Sequence, residues 1–179
     1  MQPMFETLLK LMKEPVRADR GVKTDNSILL IYPPENELDF REQLLDTVVP
    51  AFEAQKIPIE LLDLTGFIFQ GLRSEEIEAV QEDEFENYRW MIQGLSRRVE
   101  AALQARLAEI SETRPGWNVL VYNTAAVHPF VRLGEVLRGL RDLSCRIAVA
   151  FPGEERGGKL HFMNQPDGGN YLAVKLFWR

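Results

Sequence analysis

The sequence predicts an α/β fold: a three-layer open sheet, mostly parallel, with a C-terminal antiparallel hairpin. Three observations predict it. Short unbroken apolar runs (ILLIY at 28–32, NVLVY at 118–122, RIAVAF at 146–151) have strand length and no alternation, as strands covered on both faces do. Segments with apolar residues at helical spacing separate them, and such alternation calls for crossovers that leave the strands parallel. Towards the C-terminus, two further strand-like runs flank a strong turn signal instead.

Taken in order, Met4 to Met12 carries apolar residues at helical spacing, and Pro15 stops that helix. The polar stretch Arg17 to Asn26 reads as a linker. The expected division is therefore 1–26, an N-terminal helix and linker, and 27–179, a single α/β domain. Strand 28–32 ends at Pro33-Pro34, and Leu38, Leu44, Leu45, Val48, Val49 and Phe52 follow at mostly helical spacing. Pro50 is expected to kink or shorten that helix. Ile57 to Leu64 reads as the second strand, ending at Thr65-Gly66. Ser74 followed by Glu75-Glu76 is a helix start, with carboxylates at the positive end of the helix dipole. Tyr88, Met91, Ile92, Leu95, Val99, Ala102, Leu103, Leu107 and Ile110 form one long apolar stripe, closed by Pro115-Gly116. After the strand at 118–122, a helix is expected from Pro129 to Leu140. The strand at 146–151 should end at Pro152-Gly153. Leu160–Met163 and Tyr171–Trp178 should then form the hairpin around Gln165 to Gly169. Leu29, Ile31, Leu120, Val121, Ile147 and Val149 are the expected centre of the core.

Of the 179 residues, 45% are hydrophobic and 27% charged, which excludes a disordered or fibrous chain. The one cysteine, Cys145, excludes an intrachain disulfide and multi-cysteine zinc patterns, and two histidines exclude a histidine-rich metal site. The N-terminal apolar run contains Glu6 and no small-residue cleavage site, unlike a signal peptide. No apolar run approaches the roughly 20 residues that span a bilayer. A soluble, cytoplasmic protein that makes no use of a membrane is expected. The net charge of −6 is the wrong sign for direct DNA binding. It is also unevenly spread: residues 35–88 hold fifteen acidic and three basic side chains, net −12, whereas 89–179 hold thirteen basic and eight acidic, net +5. Such a segment is either a solvated face or a surface that steers a basic partner.

Ligands of open α/β sheets bind beyond the carboxyl ends of the strands. The loop after the first strand, Pro33-Pro34-Glu35-Asn36-Glu37, has prolines without N–H donors and glutamates that repel phosphate. Neither GxGxxG nor GxxxxGK[ST] occurs, so the architecture reads as nucleotide-binding-like but degenerate, without a P-loop. The third strand ends in Asn123 where magnesium binding would need a carboxylate. His128 and Arg132 could face one rim and bind a phosphate or carboxylate, or serve only as a turn cap and an ion-pair partner. Cys145 reads as a small buried hydrophobe, no GxSxG elbow is present, and Glu82-Asp83-Glu84 reads as a solvated helix junction. These readings assign no catalytic, cofactor-binding or metal-binding residue. The expected contact surface lies in the mixed acidic and apolar stretch from Phe67 to Phe85: Phe67, Ile68 and Phe69 with Glu75, Glu76, Glu78, Glu82 and Glu84. The competing reading places all three apolar groups in the core.

Several segments together resemble a known family. A strand is followed by His128-Pro129-Phe130-Val131-Arg132 and a leucine-rich helix (LGEVLRGL). Next come a strand ending in Phe151-Pro152-Gly153-Glu154, a short strand, and Asn170-Tyr171 opening the last one. In this order and spacing the chain resembles the BrxB-like family of small proteins from BREX bacteriophage-defence gene clusters, most clearly from Trp117 to Phe177. The resemblance implies a non-enzymatic scaffold or adaptor in a multi-protein defence system, associating with its alkaline-phosphatase-like PglZ component. It carries over no catalytic residue and no cofactor. The rival expectation is a phosphate- or nucleotide-binding enzyme with its site near His128 and Arg132.

Overall fold

The computed structural model describes residues 2–15, 27–75, 78, 85–140, 143–167 and 173–179. The apolar runs form the strands β1 (Ser27–Tyr32), β2 (Ile59–Asp63), β3 (Asn118–Tyr122) and β4 (Arg146–Arg156). β5 (Lys159–Phe162), β6 (Gln165–Pro166) and β7 (Val174–Phe177) follow. Five of them lie parallel in the order β2-β3-β4-β1-β7, and β5 and β6 continue antiparallel from β4. All six residues of β1 are buried, as its lack of alternation requires.

Successive residues of β1 feed two cores. Ile28, Leu30 and Tyr32 face α1 (Pro3–Lys13), α2 (Glu37–Gln43) and α3 (Val49–Ala54), among Phe5, Leu8, Phe40, Leu44 and Phe52. Leu29 and Ile31 face the opposite layer, where α4 (Phe85–Thr113) contributes Leu95, Val99, Leu103, Leu107 and Ile110. α5 (Leu133–Gly139) and the hairpin residues Leu160 and Phe162 complete that layer. The chain thus leaves β1 towards β2 over one face and returns to β3 and β4 over the other, as right-handed crossovers demand when direction reverses. The three-layer, mostly parallel α/β class is the one the sequence predicts. Leu29, Ile31, Leu120, Val121, Ile147 and Val149 are all buried, at most 2% exposed.

The amino ends of the strands hold α1 in place. Arg146 donates to the carbonyls of Leu11 and Glu14, and the Asn118 amide donates to Met12 O at 3.2 Å and Pro58 O at 3.1 Å. Carbonyls at the end of α1 thereby gain donors, Leu11 O in addition to the Glu14 N–H it already accepts. The linker expected at Arg17–Asn26 lies outside the described residues.

Three local expectations are corrected. The antiparallel hairpin joins β4 to β5, not 160–163 to 171–178. Gly157 (φ 57) and Gly158 (φ 74) supply the left-handed pair that a two-residue hairpin turn needs. The last strand, β7, instead joins the parallel sheet beside β1, with Ile28 opposite Val174 and Ile31 opposite Phe177. β4 does not end at Pro152-Gly153: it changes partner there, running parallel to β1 through Pro152 and antiparallel to β5 from Gly153. The helix expected from Pro129 begins only at Leu133. Residues 124–130 close a 3-10 turn and a further turn, with His128 N–H donating to Ala125 O and Phe130 N–H to Val127 O. The Thr124 hydroxyl, donating to Ala150 O at 2.7 Å, ties that turn to β4. The helical run continues through Pro50 to Ala54, and a π-helical turn, Leu44–Val48, lies between α2 and α3 just upstream of it.

Candidate functional site

The crossovers reverse between β1 and β4, so the carboxyl ends of these strands are where an α/β ligand would sit. The chain itself fills this place. Beyond β1, Pro34–Asn36 form a 3-10 turn, and the buried Tyr32 hydroxyl donates to Glu37 Oε2 at 2.6 Å. Burial, and secondarily the Glu37 charge, push the Tyr32 hydroxyl far above the ordinary phenol range, so it stays a donor. Its ring stacks on Phe40 at 3.9 Å between centroids. Beyond β4, Met163 N–H donates to Pro152 O at 2.9 Å, and the rings of Phe151 and Phe162 meet edge-on at 5.1 Å. At Gly153 a Cβ would come within 2.0 Å of the His161 carbonyl oxygen, so the two hairpin strands pass with no room for a side chain there.

His128 and Arg132 have separate surroundings. The His128 ring lies against Phe162 at 5.6 Å, and burial lowers its pKa. Arg132 is exposed and precedes α5, and its backbone N–H donates to the Glu100 carboxylate at 3.3 Å. The Glu100 carboxylate thus occupies the backbone donor of Arg132.

The carboxyl ends of β2 and β3 carry a polar network instead. Asp63 Oδ1 accepts from Thr65 N–H and from Asn123 Nδ2, both at 2.8 Å, and Asn123 Nδ2 also reaches Thr65 Oγ1 at 2.9 Å. Asn123 adopts a left-handed conformation, φ 54, which asparagine tolerates better than most residues. Burial raises the Asp63 carboxyl, but the Thr65 N–H, the Asn123 amide and the Thr65 and Tyr122 hydroxyls outweigh it and hold the group below the ordinary carboxylate range. Where magnesium binding would place a carboxylate after β3, this chain has the amide that secures Asp63 on the neighbouring strand.

After Asp63 the chain turns at Gly66 (φ 71) into a 3-10 turn, Phe67–Gly71. This turn divides the apolar triplet. Phe67 is buried and Ile68 packs partly against the same core, whereas Phe69 is 70% exposed. Backbone bonds from Phe67 N–H to Leu64 O and from Phe69 N–H to Gly66 O, both 3.0 Å, fix the turn, and the edge of the Phe69 ring lies over Gly66. Glu75 and Glu78 are exposed nearby in sequence, while Glu76, Glu82 and Glu84 lie outside the described residues. Phe69 thus remains as the apolar member of the expected contact surface that faces solvent. The Asp63–Thr65–Asn123 network was not anticipated, although Asp-x-Thr-Gly after a strand is a turn signature that could have pointed to it.

Cys145 is buried, and burial pushes its thiol pKa up. Among the described residues, no three His, Cys, Asp or Glu side chains converge as metal ligands, and no helix is long and apolar enough to cross a membrane. A shallow concavity of about 360 Å³, lined by Gln2, Pro3, Gln43 and Thr47, holds no charged group. No family model, curated protein or solved structure matches the chain.

Proposed function

We propose that this protein works by binding another protein, with an acidic surface around Phe69 as its contact, and performs no reaction of its own. The observation that carries this reading is Phe69. Phe69 is 70% exposed on a turn whose backbone is already hydrogen-bonded, so binding there orders little further main chain. The crowded carboxyl ends of β1 and β4 also favour recognition by a surface over turnover in a crevice. On the resemblance to BrxB-like proteins, the setting is BREX-type phage defence in the cytoplasm and the partner is the PglZ component.

Co-expression and co-purification with that component test the proposal. The expected result is a stoichiometric complex that Phe69→Ala weakens while Leu38→Ala, at an equally exposed leucine on α2, leaves it intact. Absence of a complex at low salt would overturn the assignment of partner.

A further inference from the structure

We propose that the edge of β7 is a dimerisation surface, on which β7 of a second copy of this chain pairs antiparallel and joins the two sheets. Among the described residues, β7 pairs with β1 alone. Trp178 N–H donates to Ile31 O at 2.8 Å, and backbone groups alternate sides along a strand in a parallel pair. The N–H and C=O groups of Val174 and Leu176 therefore point to β1, and those of Lys175 and Phe177 point away from the sheet. Natural edges are blunted by charge, proline or bulges. β2, at the other edge, follows Pro58 and carries Glu60 and Asp63. The residues of β7 are Val, Lys, Leu and Phe, and the Lys175 ammonium is turned back to Glu155 Oε1 at 2.8 Å. Val174 and Phe177 are 45% and 40% exposed.

Only an extended chain satisfies such an edge, and the strand's own sequence fits it. A two-fold axis normal to the sheet pairs the strands antiparallel and keeps each side chain on its own face. Registers that pair both Lys175 and Phe177 with described residues centre on Lys175, Leu176 or Phe177. Centred on Lys175, the pairing sets that lysine opposite its own copy; centred on Phe177, it sets Lys175 opposite Arg179. Both oppose like charges, which destabilises a cross-strand pair. Centred on Leu176, it sets Lys175 opposite Phe177 of the second copy and Val174 opposite Trp178 of the second copy. Each Lys175–Phe177 pair then exchanges both of its backbone bonds. The Lys175 stem covers an exposed ring, and Val174 gains an apolar neighbour on the α1 face, where Leu176 and Trp178 already pack. This register thus covers both exposed apolar residues of β7 and opposes no like charges. The contact is short, so the dimer forms in a concentration-dependent way rather than permanently.

The test is sedimentation equilibrium of the full chain up to about 1 mM, with Phe177→Glu and Phe177→Lys beside wild type. Both variants remove the same ring from the same exposed position. In the Leu176-centred register, Phe177→Glu sets a carboxylate opposite Lys175 of the second copy, and Phe177→Lys sets a like charge there. The expected result is a reversible wild-type dimer, and a dissociation constant at least about tenfold higher for Phe177→Lys than for Phe177→Glu. Amide hydrogen exchange read by NMR should slow at Lys175 and Phe177 as the wild-type concentration rises, and stay unchanged at Leu176, whose N–H already faces β1. Should either variant fail to fold, exchange in the wild type decides alone. A monomer at every concentration would overturn the proposal and leave the edge to a strand of another protein. Equal constants for the two variants would overturn it as well, since an apolar contact without strand register would explain them. So would a dimer in which the Lys175 and Phe177 amides stay unprotected.

Discussion

Asp63 shows how neutral donors set a charge. Burial and hydrogen bonding pull its carboxyl in opposite directions, and the hydrogen bonds win. A carboxyl depressed in the folded state adds stability above its unfolded pKa and loses it as pH falls through the folded value. Asp63 should therefore titrate below the ordinary carboxylate range in a carboxyl-detected NMR titration, and Asn123→Ala should move it upwards; an unmoved value in that variant would contradict the hydrogen-bond account. Leu120 makes a simpler statement. It is fully buried at the centre of β3, and Leu120→Ala should cost roughly 2–5 kcal/mol in urea unfolding through lost transfer energy and the cavity left behind. A cost below about 1 kcal/mol would mean that the core relaxes around the gap. Leu120 was legible because an unbroken apolar run states its own burial. The bond between Asn123 and Asp63 was not, because it joins residues 60 apart in the chain and depends on which strands are neighbours.

At the scale of elements, two devices hold the sheet's ends. Gly153 is where β4 exchanges a parallel partner for an antiparallel one, and the His161 backbone leaves no room for a Cβ. Gly153→Ala should destabilise by about 1–3 kcal/mol, the range for overpacking, and speed hydrogen exchange in β5 before β3. Exchange unchanged in β5 would show that the hairpin adjusts freely. At the opposite end, Arg146→Ala removes donors from the last carbonyls of α1. It should cost about 1–3 kcal/mol and expose α1 amides selectively. These devices explain where sequence reading succeeded and failed. β1, β3 and α1 follow from local periodicity, and their bounds agree closely with it. The end of β4 and the placement of β7 do not, because Pro152-Gly153 and 165–169 look like punctuation locally. Only the neighbouring strands turn the first into a change of partner and send the chain after the second to the far edge of the sheet.

For the whole molecule, charge is the property that sequence made most visible, and fold explains little of it. The −12 segment includes both α2 and the Phe69 turn, which lie apart: Phe40 of α2 packs on Trp178 just after β7, whereas the turn follows β2 at the opposite edge of the sheet. What sequence could not assign was which of Phe67, Ile68 and Phe69 face outward, since a 3-10 turn has neither strand nor helix periodicity. The rival reading, a phosphate or nucleotide site near His128 and Arg132, is open to a direct test. A ligand at 100 times its Kd would add roughly 2.7 kcal/mol, a Tm rise of roughly 5–11 °C for a chain of this size. No such rise is expected with ATP, GTP or inorganic phosphate, with or without magnesium, and a rise abolished by Arg132→Ala would restore that reading. The measurement closest to the central claim is the association rate with the PglZ component by stopped flow. Wild type is compared, at low and high salt, with a variant in which Glu75, Glu76, Glu78, Glu82 and Glu84 are changed to Gln. Charge steering acts over about 8 Å at physiological salt and mainly sets the on-rate. The account predicts that wild type associates faster at low salt and that the difference shrinks as salt rises. Equal rates for the two proteins at low salt would contradict it.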